Sequence, residues 1–290
     1  MDQRIINLFD EYTHKPLKRD DFLKRLAKLT GGMAAAMAVL PLLEINYAQA
    51  ETVAHQDDRI KTESITYPGV DTTMKGYLAR PAAAGKYPAV VVIHENRGLN
   101  PHIEDVTRRL ALAGFLALAP DALSASGGTP ADNRSDGSDQ IRDLFSKLDA
   151  QKTRENFVKA LDYLKNRPDS TGKLGAVGFC WGGAMANQLA VHDSDLKAAV
   201  PFYGRQPDAA DVPKIKAAMQ LHYGGLDERV NAGIPAYEEA LKKSGVPYEL
   251  YVYEGAQHAF HNDTAPTRYN EAAAKLAWSR TVTFLKAKLV

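Results

Sequence analysis

Cysteine is almost absent from this 290-residue chain, which carries one, Cys180. That excludes an intrachain disulfide and any cysteine-rich zinc site, so a metal would have to be held by histidines and carboxylates. Charge of one sign is lacking too: 36 Lys and Arg stand against 35 Asp and Glu, for a net charge of +1. Such a chain has no field with which to steer nucleic acid or an anionic membrane surface, and no nucleic-acid partner is expected. The apolar run at residues 33–43 (MAAAMAVLPLL) falls short of the roughly twenty residues a membrane span needs, so no stable span is expected. Internal repeats and low-complexity tracts are missing. The glycines of GAVGFCWGG (175–183) lack the G-x-G-x-x-G spacing of a dinucleotide cradle, and no cofactor is implied. What is present is an ordinary globular composition, 45% apolar and 24% charged, long enough for one catalytic domain with an appendage.

The appendage is the first fifty residues. Residues 1–32 are polar and basic, residues 33–43 are small and apolar, and Ala48-Gln49-Ala50 offers an A-x-A cleavage site before Glu51. The flank RDDFLK (19–24) resembles a twin-arginine export signal, with Asp20 where the second arginine would stand. A signal would make the protein periplasmic. Alternatively, Phe22, Leu23, Leu26 and Leu29 recur at helical spacing, which predicts an uncleaved helix pair packed on the domain of a cytoplasmic protein. The division expected is 1–50 as signal-like or helical segment and 51–290 as catalytic domain.

From residue 61 onward strand-like and helix-like segments alternate, the pattern of a parallel sheet covered on both faces. Residues 62–67 and 74–80 flank Pro68-Gly69 and predict an antiparallel hairpin at the sheet edge. Six apolar runs follow, at 88–94, 115–119, 173–178, 196–202, 217–223 and 247–253. Helical periodicity marks 103–113, 153–166, 184–192, 234–244 and 269–288, and residues 124–138 read as the one long loop.

Gly178-Phe179-Cys180-Trp181-Gly182 ends one such strand and opens a helix, the context of a G-x-nucleophile-x-G elbow with cysteine in place of serine. The sharp turn strains the nucleophile's backbone and leaves no room for side chains beside it, while the helix N-terminus favours a thiolate. A buried structural cysteine is the alternative, and cysteine taken alone is more often that. A nucleophile needs a base and an orienting acid, and in an elbow of this kind the chain order is nucleophile, acid, histidine. Asp227, in HYGGLDERV, and His258, in EGAQHAFHND, follow strands in that order. Asp227 could instead be a turn or helix-cap carboxylate. His258, His261 and Asp263 share one loop but make a poor zinc pattern. The loop after 88–94, His94-Glu95-Asn96-Arg97-Gly98, would supply one oxyanion N–H from Asn96, with Trp181 supplying the other. Glu95 and Arg97 could otherwise form an exposed ion pair.

Taken in order, HENRGLNPHIEDV, APDALS, GFCWGG, VPFYGRQ and EGAQHAFHND resemble the dienelactone hydrolase family, over nearly all of 61–290 and most closely its longer bacterial branch. The resemblance implies an α/β-hydrolase fold, with a mostly parallel sheet, helices on both faces and an N-terminal antiparallel hairpin. It implies a carboxylic ester or lactone hydrolase with a Cys180, Asp227, His258 triad. Glu95 would hold the neutral thiol at rest and help deprotonate it when substrate enters, which limits thiol oxidation. Characterised members bind a substrate carboxylate with arginines, one of them four residues after the catalytic histidine. Asn262 stands there and is itself a candidate substrate contact, and no counterpart of the second is evident near 138–149. Arg97, Arg205 or Arg229 could substitute, and Phe145, Trp181 and Tyr203 are further candidates for the pocket. The expected partner is a small ester or lactone, not necessarily dienelactone. A silent binding protein and a promiscuous hydrolase of phosphotriesters are the competing expectations.

Overall fold

Eight strands form a single sheet in a computed structural model that describes residues 1–43, 51–130 and 139–290. The predicted hairpin is β1 (Ile60–Pro68) and β2 (Thr73–Pro81), paired antiparallel from Ile60 opposite Pro81 to Pro68 opposite Thr73. The six apolar runs become β3 (Tyr87–Ile93), β4 (Leu116–Pro120), β5 (Ser170–Phe179), β6 (Leu196–Phe202), β7 (Ala218–Gly224) and β8 (Tyr248–Tyr253). Their order across the sheet is β1-β2-β4-β3-β5-β6-β7-β8, with β2 antiparallel to β4 and every later pairing parallel. Central strands read as unbroken apolar runs because both faces are covered. In β3, Ala89, Val91 and Ile93 join one core while Val90 and Val92 join the other.

One face is covered by α4 (Pro101–Leu112) and α10 (Glu271–Leu289), the other by α6 (Ala150–Lys165), α7 (Trp181–His192) and α9 (Ile234–Ser244). Local chemistry sets several of the starts. Asn100, Asp149 and Asn270 each accept a backbone N–H of the first helical turn, at α4, α6 and α10. Gly245, at φ 66, closes α9 in the left-handed conformation. Two helices escaped the periodicity analysis, α5 (Asp139–Ser146) and the single turn α8 (Glu228–Asn231). In the predicted loop, Ser124–Ser126 form one helical turn, and residues 131–138 lie outside the described residues.

The N-terminal segment is helical: α1 (Gln3–His14), α2 (Arg19–Thr30) and α3 (Met33–Leu43). Phe22 and Leu26 are buried as their spacing predicts, in a small separate core with Phe9, Tyr12, Ala36, Leu40 and Leu43. Two helices were expected and three are found, because Gly31, at φ 88, ends α2 in a left-handed cap and the chain turns by 108° into α3. No single helix among the described residues is long and apolar enough to cross a membrane. The Ala48-Gln49-Ala50 cleavage candidate lies outside the described residues.

Candidate active site

The strand order reverses beside β3, whose chain continues to β4 on one side while β5 lies on the other. In open parallel sheets the crevice at the carboxyl ends of such strands receives ligands. Glu95 follows β3, Cys180 follows β5, Asp227 follows β7 and His258 follows β8, so four connections bring the predicted residues to one end of the sheet.

Cys180 sits between Phe179 and Trp181 with φ 56 and ψ −112. For a residue bearing a Cβ this is a strained backbone, held because its surroundings over-determine it. A side chain at position 178 would drive into the Gly182 carbonyl, one at 182 into the Ile93 carbonyl, and one at 183 into the Phe202 carbonyl. The glycines therefore let α7 start directly against β3 and β6. The Cys180 N–H donates to the Phe202 oxygen at 3.0 Å, and its carbonyl accepts the Ala184 N–H. Trp181 is the first residue of α7, where helical N–H groups lack intrahelical partners. Tyr203, at φ 37, and Ala259, at φ 62, are strained in the same sense beside the same site.

Asp227 and His258 meet as expected, with His258 Nδ1 2.5 Å from Asp227 Oδ2. The other Asp227 oxygen accepts the Val230 N–H, so the cap and the orienting carboxylate are one residue. Burial alone would raise the Asp227 pKa, but the His258 charge and hydrogen bond outweigh it and hold the carboxyl below its ordinary value. His258 Nε2 is buried and makes no hydrogen bond.

Glu95 is 4% exposed and Arg97 6%, so the exposed ion pair considered for them is excluded. Asn262 Nδ2 donates to Glu95 Oε2 at 2.8 Å, and the Tyr203 hydroxyl reaches Glu95 Oε1 at 3.4 Å. Burial, with Glu95 and Cys180 nearby, pushes the Tyr203 phenol well above its ordinary pKa, which keeps it a donor. The Oδ1 of Asn262 accepts both the N–H and the hydroxyl of Thr264, so its amide is committed to fixing Glu95. That corrects the expectation of Asn262 as a substrate contact: the amide holds a carboxylate of the protein. Arg205 is corrected as well, because it is exposed on a separate groove with Gln188 and Asp208. Arg229 pairs with Asp10, Nε to Oδ2 at 3.1 Å. Phe145 meets Trp181 edge-on at 5.3 Å, and Trp181 stacks on His94 at 5.5 Å, forming an aromatic wall. His94 Nε2 accepts the Ala122 N–H, which ties this wall to the end of β4. His261 packs against Phe179, Phe202 and Trp278, and Asp263 pairs with His102 and Arg109, so the loop histidines and Asp263 serve different partners.

No sequence motif marks His14. Its Nε2 lies 3.1 Å from Cys180 Sγ, whereas His258 Nε2 makes no hydrogen bond, and the His14 ring meets the His258 ring edge-on at 4.8 Å. Asp10, one helical turn earlier, stands 3.1 Å from His14 Nδ1. Burial opposes the imidazolium, but Cys180 and Asp10 overcome it and raise the pKa of His14. The Asp10-x-x-x-His14 spacing was the only signal, and it is a common i, i+4 pair. Around it α1 is fastened across the crevice: Asn96 Nδ2 donates to the Thr13 carbonyl at 2.8 Å and Gln3 bonds Gln257. Arg142 donates to the Leu17 carbonyl, and Arg268 lies over the Phe9 ring. What remains beside Cys180 is a void of about 10 Å³, bounded by His14, Glu95, Arg97, Cys180, His258 and Arg268 among others.

The strained elbow and the carboxylate-paired histidine at the end of this sheet define a hydrolase of the α/β-hydrolase fold. More narrowly, the chain belongs to the dienelactone hydrolase family, whose family model matches residues 74–289. A protein of Saccharolobus solfataricus named "Putative carboxymethylenebutenolidase" is 33% identical over 77% of this chain and 98% of its own length. Among solved structures, a dienelactone hydrolase-like promiscuous phosphotriesterase from metagenomic libraries superposes with a TM-score of 0.70 at 27% identity, covering 80% of this chain and all of that one. Brefeldin A esterase, a bacterial protein, covers the whole chain and 94% of its own at 14% identity and a TM-score of 0.65, a likeness of fold alone.

Proposed function

We propose that the protein hydrolyses carboxylic esters or lactones through a thioester on Cys180. The observation that carries this reading is the His258–Asp227 pair at 2.5 Å, aimed at a cysteine on a strained elbow. His258 Nε2, buried and without a partner, is free to take the thiol proton as the sulfur bonds the substrate carbonyl carbon. The oxyanion would rest on the N–H groups of Asn96 and Trp181. His258 then returns the proton to the leaving alkoxide, and water, deprotonated by the same ring, cleaves the thioester and restores the thiol. Glu95, pinned by Asn262 and Tyr203, is the added carboxylate that assists deprotonation when substrate displaces the resting contacts.

The 10 Å³ void does not admit an acyl group, so turnover requires α1 to withdraw. Withdrawal would open to the thiol the cavity of about 830 Å³ that Phe145 and Trp181 already line, with Arg268 beside the thiol for an anionic substrate. A second reading, hydrolysis of phosphotriesters by the same thiol, is favoured by the 27% identical relative with that activity in its name. Rates on short p-nitrophenyl esters, dienelactone and a phosphotriester, measured for wild type and Cys180→Ala, test both. Loss of hydrolysis in the variant is expected, and equal rates would overturn the assignment.

A further inference from the structure

The donor atoms of His14, Cys180 and His258 lie within 4.8 Å of one another, the only such cluster of three among the described residues. We infer that these three side chains form a binding site for a borderline divalent ion of the Zn²⁺ class, assembled when α1 is docked. The thiolate and two imidazoles match that class, whereas Mg²⁺ and Ca²⁺ demand oxygen ligands. A tetrahedral zinc holds sulfur and nitrogen about 3.5 Å apart, given bonds of about 2.3 and 2.0 Å. The His14 to Cys180 separation of 3.1 Å is already close, and side-chain rotation of about an ångström brings the third ligand into range.

The surroundings support a metal in two further ways. Zinc-bound histidines ordinarily give their second ring N–H to a carboxylate, which orients the ring and strengthens the donor nitrogen. A backbone carbonyl serves the same end, and both rings are oriented in this way: His258 Nδ1 through the Asp227 carboxylate at 2.5 Å, and His14 Nδ1 through the Asp10 backbone carbonyl at 2.9 Å, with Asp10 Oδ1 3.1 Å away. The hydrolytic reading explains the first pair and not the second. In addition, His258 Nε2 is a buried nitrogen with no partner, beside a void of one atom's size. Glu95, Asp10 and Asp227 offset Arg97, Arg268 and Arg229 around it, and binding replaces the thiol proton with a metal–sulfur bond and releases that proton to solvent. Water would take the fourth position.

An occupied site would clamp α1 and remove the nucleophile, so that metal and ester exclude one another. The existence of the site is independent of the hydrolase reading, but this consequence rests on it. The test uses the full chain, freed of metal and titrated with Co²⁺. A sulfur-to-cobalt charge-transfer band in the near ultraviolet, saturating at one equivalent and displaced by Zn²⁺ but not Mg²⁺, is expected. His14→Ala should abolish the band and weaken Zn²⁺ binding on the order of a hundredfold, and Asp10→Asn about tenfold. Cys180→Ser, which retains the shape of the elbow, should lose the band as well. Absence of a band in wild type, or Zn²⁺ binding equal in all four proteins, overturns the proposal. Ester hydrolysis in chelator separates the two ideas: an active chain that binds no cobalt defeats the metal site alone, and a cobalt-binding chain without hydrolysis defeats the hydrolase alone.

Discussion

Two histidine–carboxylate pairs face Cys180, and they are built differently. His258 and Asp227 come from loops after neighbouring strands, β8 and β7, whose register runs from Met219 opposite Tyr248 to Gly224 opposite Tyr253. Their geometry is therefore a property of the sheet. His14 and Asp10 are neighbours on one helix, whose own core with α2 and α3 is separate from those of the domain. Their internal geometry survives if α1 leaves, and their position over the thiol does not. The domain pair is fixed by the sheet and the helix pair is a portable one, so the closed site and the proposed triad can coexist in one chain.

The sharpest break of this comparison is His258→Ala, expected to lower hydrolysis on the order of a thousandfold in steady-state assays. Next comes acid stability, which belongs to the domain. His222 is fully buried against Phe202 and Tyr253, and desolvation, aided by Arg280, pushes its pKa down to about 3. The unfolded chain binds this proton near pH 6.5, so the contribution to stability is complete above that value and falls as the pH drops toward 3. It amounts to about 3 kcal/mol lost at pH 4. Urea midpoints at pH 7 and pH 4, compared with those of His222→Gln, measure it. Asn262→Ala leaves Oε2 of the buried Glu95 without its donor and should cost about 2 kcal/mol in stability and about tenfold in rate, read from denaturant melts and kcat/KM. Smallest, and opposite in sign to His258→Ala, is His14→Ala. Losing the bond to Cys180 should free α1 and raise kcat/KM in chelator by about fivefold. A large loss of rate instead would make the two pairs equivalent and break the comparison.

The fold was legible because its strands are apolar, short and punctuated, so all eight emerged from residue pattern. The elbow and the Asp227–His258 pair were legible because elbow, acid and histidine keep their chain order. Less was readable where chemistry depends on distance through space. His14 lies 166 residues before the thiol it touches, in a segment whose composition suggested targeting. Asn262 occupied a position read for substrate, yet only the structure brings it to Glu95. Arg205 is near Tyr203 in sequence and faces away from the site on another groove. The helix α5 was missed because its eight residues adjoin the polar stretch and carry few apolar positions.

The nucleophile assignment is tested most directly by quenching full-length protein in acid during turnover of a slowly hydrolysed ester and weighing its peptides. An acyl group is expected on the peptide containing Cys180 and none in Cys180→Ala. Sustained hydrolysis with no adduct on that peptide, undiminished in the variant, would contradict it.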